Sequence, residues 1–441
     1  MSHDTSRRQF LREMLSAAAL TAAGSVVSAG CSPRRQDPSG VVTLEFYNYA
    51  TPEFLTLYNE KLIPAFEKTH PNIRVRMNSS LGDAGYDAKL LTLIAGKMAP
   101  DLFHVTQQNF PFYAAKDILL PVDGFLKDDP DLSEDAFFPQ VTNGMRFQGQ
   151  LLGLPSDFST IVMLYNQDLF DRYRVAYPED GWTWDDYLAS AKALTHDTDR
   201  DGYTDLFGTM NPGAYNRWPA WVWMNGGDLF TPDVKKCLMD TPESIAGLQF
   251  YVDLARKHKV APLAGQTMGQ DFQDFFTSQM TAMIADSRFA YKRFLRKRKL
   301  KFRWDLAPMP RGREQATTFI WGGNCILKTT PHPQEAWEFL KFLSGAEGAA
   351  INLEAGNALP AYRPAAEQEI RSPLDPSVPK NDRCFLEAVA YGRTAPTPPQ
   401  FAEYNQAMTV LQDAFLGIKP VETACREFAA EVNAVLASEV F

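Results

Sequence analysis

The chain reads as an α/β protein: a mostly parallel sheet covered on both faces by helices, with the residues divided between two lobes. Short β-branched and aromatic runs alternate with helical stretches from Val41 onward, the order that builds βαβ units. At 441 residues the chain also exceeds the size at which one hydrophobic core keeps growing, so two lobes are expected. No internal repeat or low-complexity segment points to a solenoid or an extended chain.

Residues 1–30 stand apart from that series. Ser6-Arg7-Arg8-Gln9-Phe10-Leu11-Arg12 precedes a mild run rich in Ala and Gly that ends Ser28-Ala29-Gly30-Cys31. The run from Met14 to Gly30 is too short and too weakly apolar to span a bilayer, which takes about 20 residues. It reads as a cleaved targeting segment. The order S-R-R-x-F-L-[K/R] resembles the twin-arginine export signal. A cysteine after small residues resembles a lipoprotein cleavage box, with Ser28 standing where such boxes carry an aliphatic. The resemblance implies that Cys31 becomes an acylated first residue, that 31–40 is a tether, and that the protein works outside the cytoplasm, anchored to a membrane.

Val41 to Asn48 is expected as the first strand, Glu53 to Lys68 as a helix, Ile73 to Met77 as a strand and Tyr86 to Lys97 as a helix. Asp101 to Val105 is a short buried strand entered through Pro100, and Met145 to Leu154, with Gly149 near its middle, a hairpin. Past Pro155, the run Thr160 to Tyr165 is another buried strand. Trp184 to Leu194 is a helix capped by Thr183 with acids in its first turn. Helices follow at Glu243 to Lys257, near Pro333 to Leu343, at Phe401 to Leu416 and at Val421 to Ala437. Met280 to Ala285 and Thr317 to Leu327 are strands, and Ala395 to Pro399 a connecting loop.

The net charge of -9 disfavours nucleic acid as a partner. Cys237, Cys325, Cys384 and Cys425 are widely spaced; one disulfide and buried free thiols both fit. There is no C-x-x-C, G-x-S-x-G, H-E-x-x-H, G-x-x-x-x-G-K-[ST] or G-x-G-x-x-G, and the six histidines show no metal-ligand spacing. No enzymatic activity is expected on these grounds.

Several segments together resemble the extracellular solute-binding proteins of ABC importers, in the sugar-binding branch that includes maltose-binding protein. They are Leu91 to Asp101, Gly153 to Asp157 with Tyr165 to Phe170, Trp182 to Tyr187, Met280 to Ile284, and Ala336 to Leu343. The resemblance implies a two-lobed periplasmic-binding-protein-like (type II) fold with a ligand cleft between the lobes. It implies crossings near Pro155, Asp286 and Leu343, so that 41–155 and 286–343 form lobe 1 and 156–285 and 344–441 form lobe 2. It further implies a monomer that captures a carbohydrate by cleft closure and hands it to the transmembrane subunits of an ABC permease. A polyol or glycerol-phosphodiester ligand stays open, and so does a secreted glycoside hydrolase, whose paired carboxylates only geometry reveals.

A sugar offers apolar CH faces and hydroxyl edges, so its receptor needs aromatic platforms and planar polar groups. By comparison with the family, Tyr49, Gln108 and Asn109 face the cleft from lobe 1, and Asp157 and Ser159 straddle the first crossing. Tyr215 and Trp221 are lobe 2 candidates, with one of Trp221 and Trp223 expected in the core. Asp286 and Arg288 lie at the second crossing, and Arg363 follows a turn that returns to the cleft. Trp321 is the leading stacking candidate beside Gly322 and Gly323, which either let backbone approach ligand or mark a bulge.

Asp197, Asp199, Asp201 and Asp205 fall at the first, third, fifth and ninth positions of a loop with Gly202 at the sixth. The carbonyl of Tyr203 takes the seventh. That spacing suits one calcium ion in a structural role, although Gly208 stands where a bidentate glutamate closes an EF-hand. A solvated Asp-rich turn is the other reading. The basic run Lys292 to Arg303 reads either as a solvated face or as a docking patch for an acidic permease surface or lipid headgroups.

Overall fold

The computed structural model describes residues 40–50, 52–81, 85–211, 217–263, 266–267, 272–288, 300–355, 358–371 and 381–438. The export signal, Cys31, Tyr215 and the basic run from Lys292 to Lys299 lie outside the described residues.

Strand β1 (Val42–Ala50) leads into an unbroken helical stretch, Pro52–Thr56, Leu57–Leu62 and Ile63–Thr69, whose middle turn is a π-helix. Then come β2 (Ile73–Leu81), the helix Tyr86–Ala95 and β3 (Leu102–Thr106). The expected hairpin is present as β4 (Arg146–Phe147) and β5 (Gln150–Leu151), turning through Gln148 and Gly149, both at positive φ. The buried strand is longer than its apolar run: β6 covers Leu154–Asn166. The remaining strands are β7 (Met283–Ser287), β8 (Trp304–Ala307), β9 (Thr317–Ile326), β10 (Leu359–Pro360) and β11 (Gly392–Arg393).

Among these strands the order is β10-β6-β9-β3-β1-β2, with β7 and β8 on β6 and β11 on β9. β1 pairs in parallel with β2 and β3, and β11 with β9. The expected mostly parallel sheet is therefore mixed, because β9 inserts antiparallel between β3 and β6. Consecutive strand–helix–strand units favour parallel neighbours only while the chain stays local. β9 arrives from far along the sequence.

β6 and β9 are shared between two halves of the sheet. Up to Thr160, β6 pairs with β9; from Ile161 it pairs with β7 and β8. β9 pairs with β11 at Thr317 and Thr318 and with β6 from Phe319. The passage on β6 thus falls at Thr160–Ile161, past Pro155. Two hydrophobic cores flank it, and strand alternation divides β6 between them: Ile161, Met163 and Tyr165 enter one, Val162 and Leu164 the other. The chain is a two-lobed α/β fold. Leu359, Ala361, Ala366, Cys384 and Phe385 belong to the first core, whereas the expectation put all of 344–441 in lobe 2; Ala395 onward belongs to the second.

Local chemistry sets the helix ends. The helix Trp184–Ala193 starts in a capping box, with the Thr183 hydroxyl accepting from the Asp186 backbone N–H and the Asp186 carboxylate accepting from that of Thr183. Phe401–Leu416 divides at Met408 into two helices, and Val421–Leu436 closes the second core through Ala424, Phe428 and Val432. The four cysteines beyond Cys31 are buried free thiols, and burial pushes those of Cys237 and Cys425 up to about 12. No helix among the described residues is long and apolar enough to cross a membrane.

Candidate ligand cleft

The carboxyl ends of β1 and β3 meet the shared strands β6 and β9, the place where open α/β sheets gather ligand-binding groups. Tyr49, near the end of β1, stacks on Tyr86 at 4.2 Å between ring centroids and meets the His104 ring edge-on at 5.5 Å. Tyr86 is fixed from below, its hydroxyl donating to the His104 carbonyl at 2.7 Å. Asp157 lies opposite Gly322 in the β6–β9 register, next to a bulge after Pro155. It is half-buried, and its Oδ2 accepts from the Ser156 hydroxyl at 2.7 Å. Its Oδ1 accepts no hydrogen bond among the described residues. A Cβ built on Gly322 would lie 3.0 Å from the His104 ring and 3.5 Å from Asp157 Oδ1, so glycine keeps those two groups from being covered.

The two glycines differ in use. A Cβ on Gly323 would press to 2.7 Å against the Leu154 carbonyl and Met145 Sδ, so this residue is glycine for strand packing. Gln108 is half-buried in the turn after β3. Its neighbour Gln107, which sequence reasoning passed over, exchanges hydrogen bonds with the backbone of Trp321.

Other candidates are held by the protein itself. Asn109 is buried: its Oδ1 accepts from the Thr106 N–H at 2.8 Å, and its Nδ2 donates to Asp87 at 3.0 Å. Ser159 accepts from the Arg288 N–H at 2.9 Å and donates to the Thr160 carbonyl. Trp221 belongs to the second core, tilted against Trp184, Tyr187 and Tyr251, and Trp223 is equally buried. Both tryptophans are core. The reason is the short helix Pro219–Met224, all six residues of which are buried, so no face is left for ligand.

Asp286 and Arg288 are likewise bonded within the protein. Asp286 is 1 % exposed, paired with Arg217 and accepting from Gln273 at 3.0 Å. Arg288, also 1 % exposed, reaches Glu369 at 2.7 Å and Asp382 at 3.0 Å. Buried charges must be paired, and these pairings use the groups a ligand would need. Trp321 is 4 % exposed, edge-on to Phe110 at 5.8 Å and packed over Gly144, where a Cβ would sit 2.7 Å from its Nε1. It fills the first core instead of presenting a stacking face. Arg363 is exposed and donates to the Asp135 carbonyl at 3.0 Å.

His104 and Asn324, beside Gly322, are not among the candidates the sequence singled out. Both are polar interruptions of apolar strands, Leu-Phe-His-Val and Asn-Cys-Ile-Leu. A separate cavity of about 340 Å³, lined by Thr69, His70, Glu338, Lys341 and Tyr362 among others, includes none of the candidates.

The acidic loop is exposed, with oxygens of Asp197, Asp199 and Asp201 within 4.8 Å of one another. Gly202 at φ 92° and Arg200 at φ 65° make the tight turn. Asp197 accepts from the Arg200 and Gly202 N–H groups and Asp201 from that of Tyr203, while the Asp205 carboxylate accepts from the N–H and hydroxyl of Thr198. The Asp201 N–H pulls the Asp199 carboxyl down, but desolvation and the charges of Asp201 and Asp205 hold it above its usual value.

The pattern of the bacterial extracellular solute-binding protein family matches residues 52–350. An arabinooligosaccharide-binding protein of Halalkalibacterium halodurans is 25% identical over 322 residues, 71% of this chain and 69% of the relative. An ABC substrate-binding protein of Listeria monocytogenes, solved in complex with cycloalternan, superposes with a TM-score of 0.80 at 25% identity, over 90% of this chain and 100% of that one. The sugar-binding protein MalE of Xanthomonas citri superposes at 0.75, with 20% identity over 90% of this chain and 98% of that one. With two lobes joined through shared strands and a polar floor at their junction, this chain belongs to the bacterial extracellular solute-binding protein family.

Proposed function

We propose that this protein is the substrate-binding component of an ABC importer, capturing an oligosaccharide between its lobes and releasing it unchanged to a membrane permease. The observation that carries this is the group of Tyr49, His104 and Asp157 around Gly322, at the junction where β6 and β9 pass between the halves of the sheet. An ionised carboxylate accepts from sugar hydroxyls, and an aromatic edge or face packs on sugar CH groups. The arabinooligosaccharide and cycloalternan named for the two 25% relatives support a sugar of several units. Closure follows if ligand touches both lobes only when they shut; about 5.5 kcal/mol of preference carries the equilibrium from 1:99 to 99:1.

The protein acts as a monomer, held at the membrane by acylation of Cys31 after twin-arginine export. The sequence Ser28-Ala29-Gly30-Cys31 and the paired Arg7 and Arg8 support both steps. The loop at 197–205 holds a structural calcium ion, supported by its three converging carboxylates.

Thermal unfolding of the chain from Cys31 onward, against arabino- and malto-oligosaccharides, polyols and glycerol phosphodiesters, tests the ligand. A matching sugar at a hundred times its dissociation constant adds about 2.7 kcal/mol of stability. A shift with polyols or phosphodiesters alone would refute the oligosaccharide assignment. Calcium titrated against a chelator in the same assay should raise the midpoint, and Asp199→Asn should abolish that rise.

A further inference from the structure

Asn324 is fully buried in the middle of β9, and both ends of its carboxamide, Oδ1 and Nδ2, lack a hydrogen-bond partner among the described residues. Exchanging the two ends of the amide does not remove the difficulty, since neither atom is satisfied. A buried polar group without a partner is costly, and native proteins leave few of them. Whatever serves this amide must accept from Nδ2 and donate to Oδ1. An anion can only accept, a cation can only donate, and an apolar group does neither. A hydroxyl does both.

The surroundings lead from this amide toward the cleft. His104 is the register partner of Asn324, so the two side chains share one face of the sheet. Tyr47 pairs with Phe103, which sets Asn48 beside His104 on β1. Gly322 lies two residues before Asn324 on the same face, with His104 on one side and half-buried Asp157 on the other. A polar row thus runs through an otherwise apolar sheet to the carboxylate that faces the junction.

We infer that Asn324, His104, Gly322 and Asp157 form a hydroxyl-binding recess in the floor of lobe 1, filled by an ordered water or by a hydroxyl of the bound sugar. The water arm stands on the geometry alone; the sugar arm rests on the oligosaccharide reading proposed above.

High-resolution crystals of the protein, grown alone and with maltotriose or arabinotriose, test the recess directly. Calorimetry of wild type and Asn324→Leu with the same sugars separates the occupants. A sugar oxygen within hydrogen-bond distance of both amide atoms, with at least a tenfold loss of affinity in Asn324→Leu, assigns a sugar hydroxyl. A water there in both crystals, with affinity within twofold of wild type, assigns water. Density at neither amide atom in either crystal overturns the recess. Should Asn324→Leu fail to fold, the wild-type crystals still decide. Should neither sugar bind wild type, it is the oligosaccharide reading that is damaged, and the unliganded crystal still tests the recess.

Discussion

Asp157 and Asp286 sit on strands that pair with each other or with β9 at the lobe junction, and the sequence offers both as ligand candidates at the crossings. Asp157 is half-buried with one oxygen bonded to Ser156 and the other turned toward the gap over Gly322. Asp286 is solvent-excluded, with Arg217 on one oxygen and Gln273 on the other. On β6, Asp157 keeps one carboxylate oxygen without a hydrogen bond among the described residues. Around β7 the protein pairs each charge with another of its own. One residue type at one junction thus has two uses, and burial with its partner's charge separates them.

The largest expected effect falls on the closed side of this comparison. Arg288→Met removes the buried guanidinium that reaches both Glu369 and Asp382 and should cost about 3–5 kcal/mol, read as a lower urea midpoint. A loss below about 1 kcal/mol would show that water reaches the cluster, and the contrast with Asp157 would collapse. Trp321→Ala tests the same line from the core. Removing a side chain wedged between Phe110 and Gly144 should cost about 3–5 kcal/mol in urea unfolding. If stability held while sugar affinity vanished, Trp321 would return to the ligand.

The sharpest test exchanges the two aspartates. Asp157→Asn keeps the shape but weakens the acceptor; it should lower sugar affinity by about 1.5–3 kcal/mol in calorimetry and leave the unliganded midpoint in place. Asp286→Asn should do the reverse, lowering the midpoint by neutralising the buried carboxylate that pairs with Arg217. Equal effects from both would mean that the two sites are not distinct in use.

Much of this was readable in advance. Strand–helix alternation set the α/β class, the Thr183–Asp186 capping box began its helix where expected, and the run from Thr160 marked a buried strand. These features depend on residues a few positions apart, where periodicity and capping act directly. Family motifs added the two lobes and pointed to the junction. The candidate site was only partly readable: Tyr49, Asp157 and Gly322 lie at the floor, while Asn109, Trp221, Asp286, Arg288 and Trp321 are tied into the protein.

The sequence by itself determined the residue types, the order of strands and helices, and the family. Tertiary structure alone decided which of those residues stay available to a ligand. Arg288 finds Asp382 across 94 positions and Asp286 finds Arg217 across 69, and β9 enters between β3 and β6 from far down the chain. A carboxylate's use depends on what surrounds it in space, and local pattern does not encode pairings at that separation.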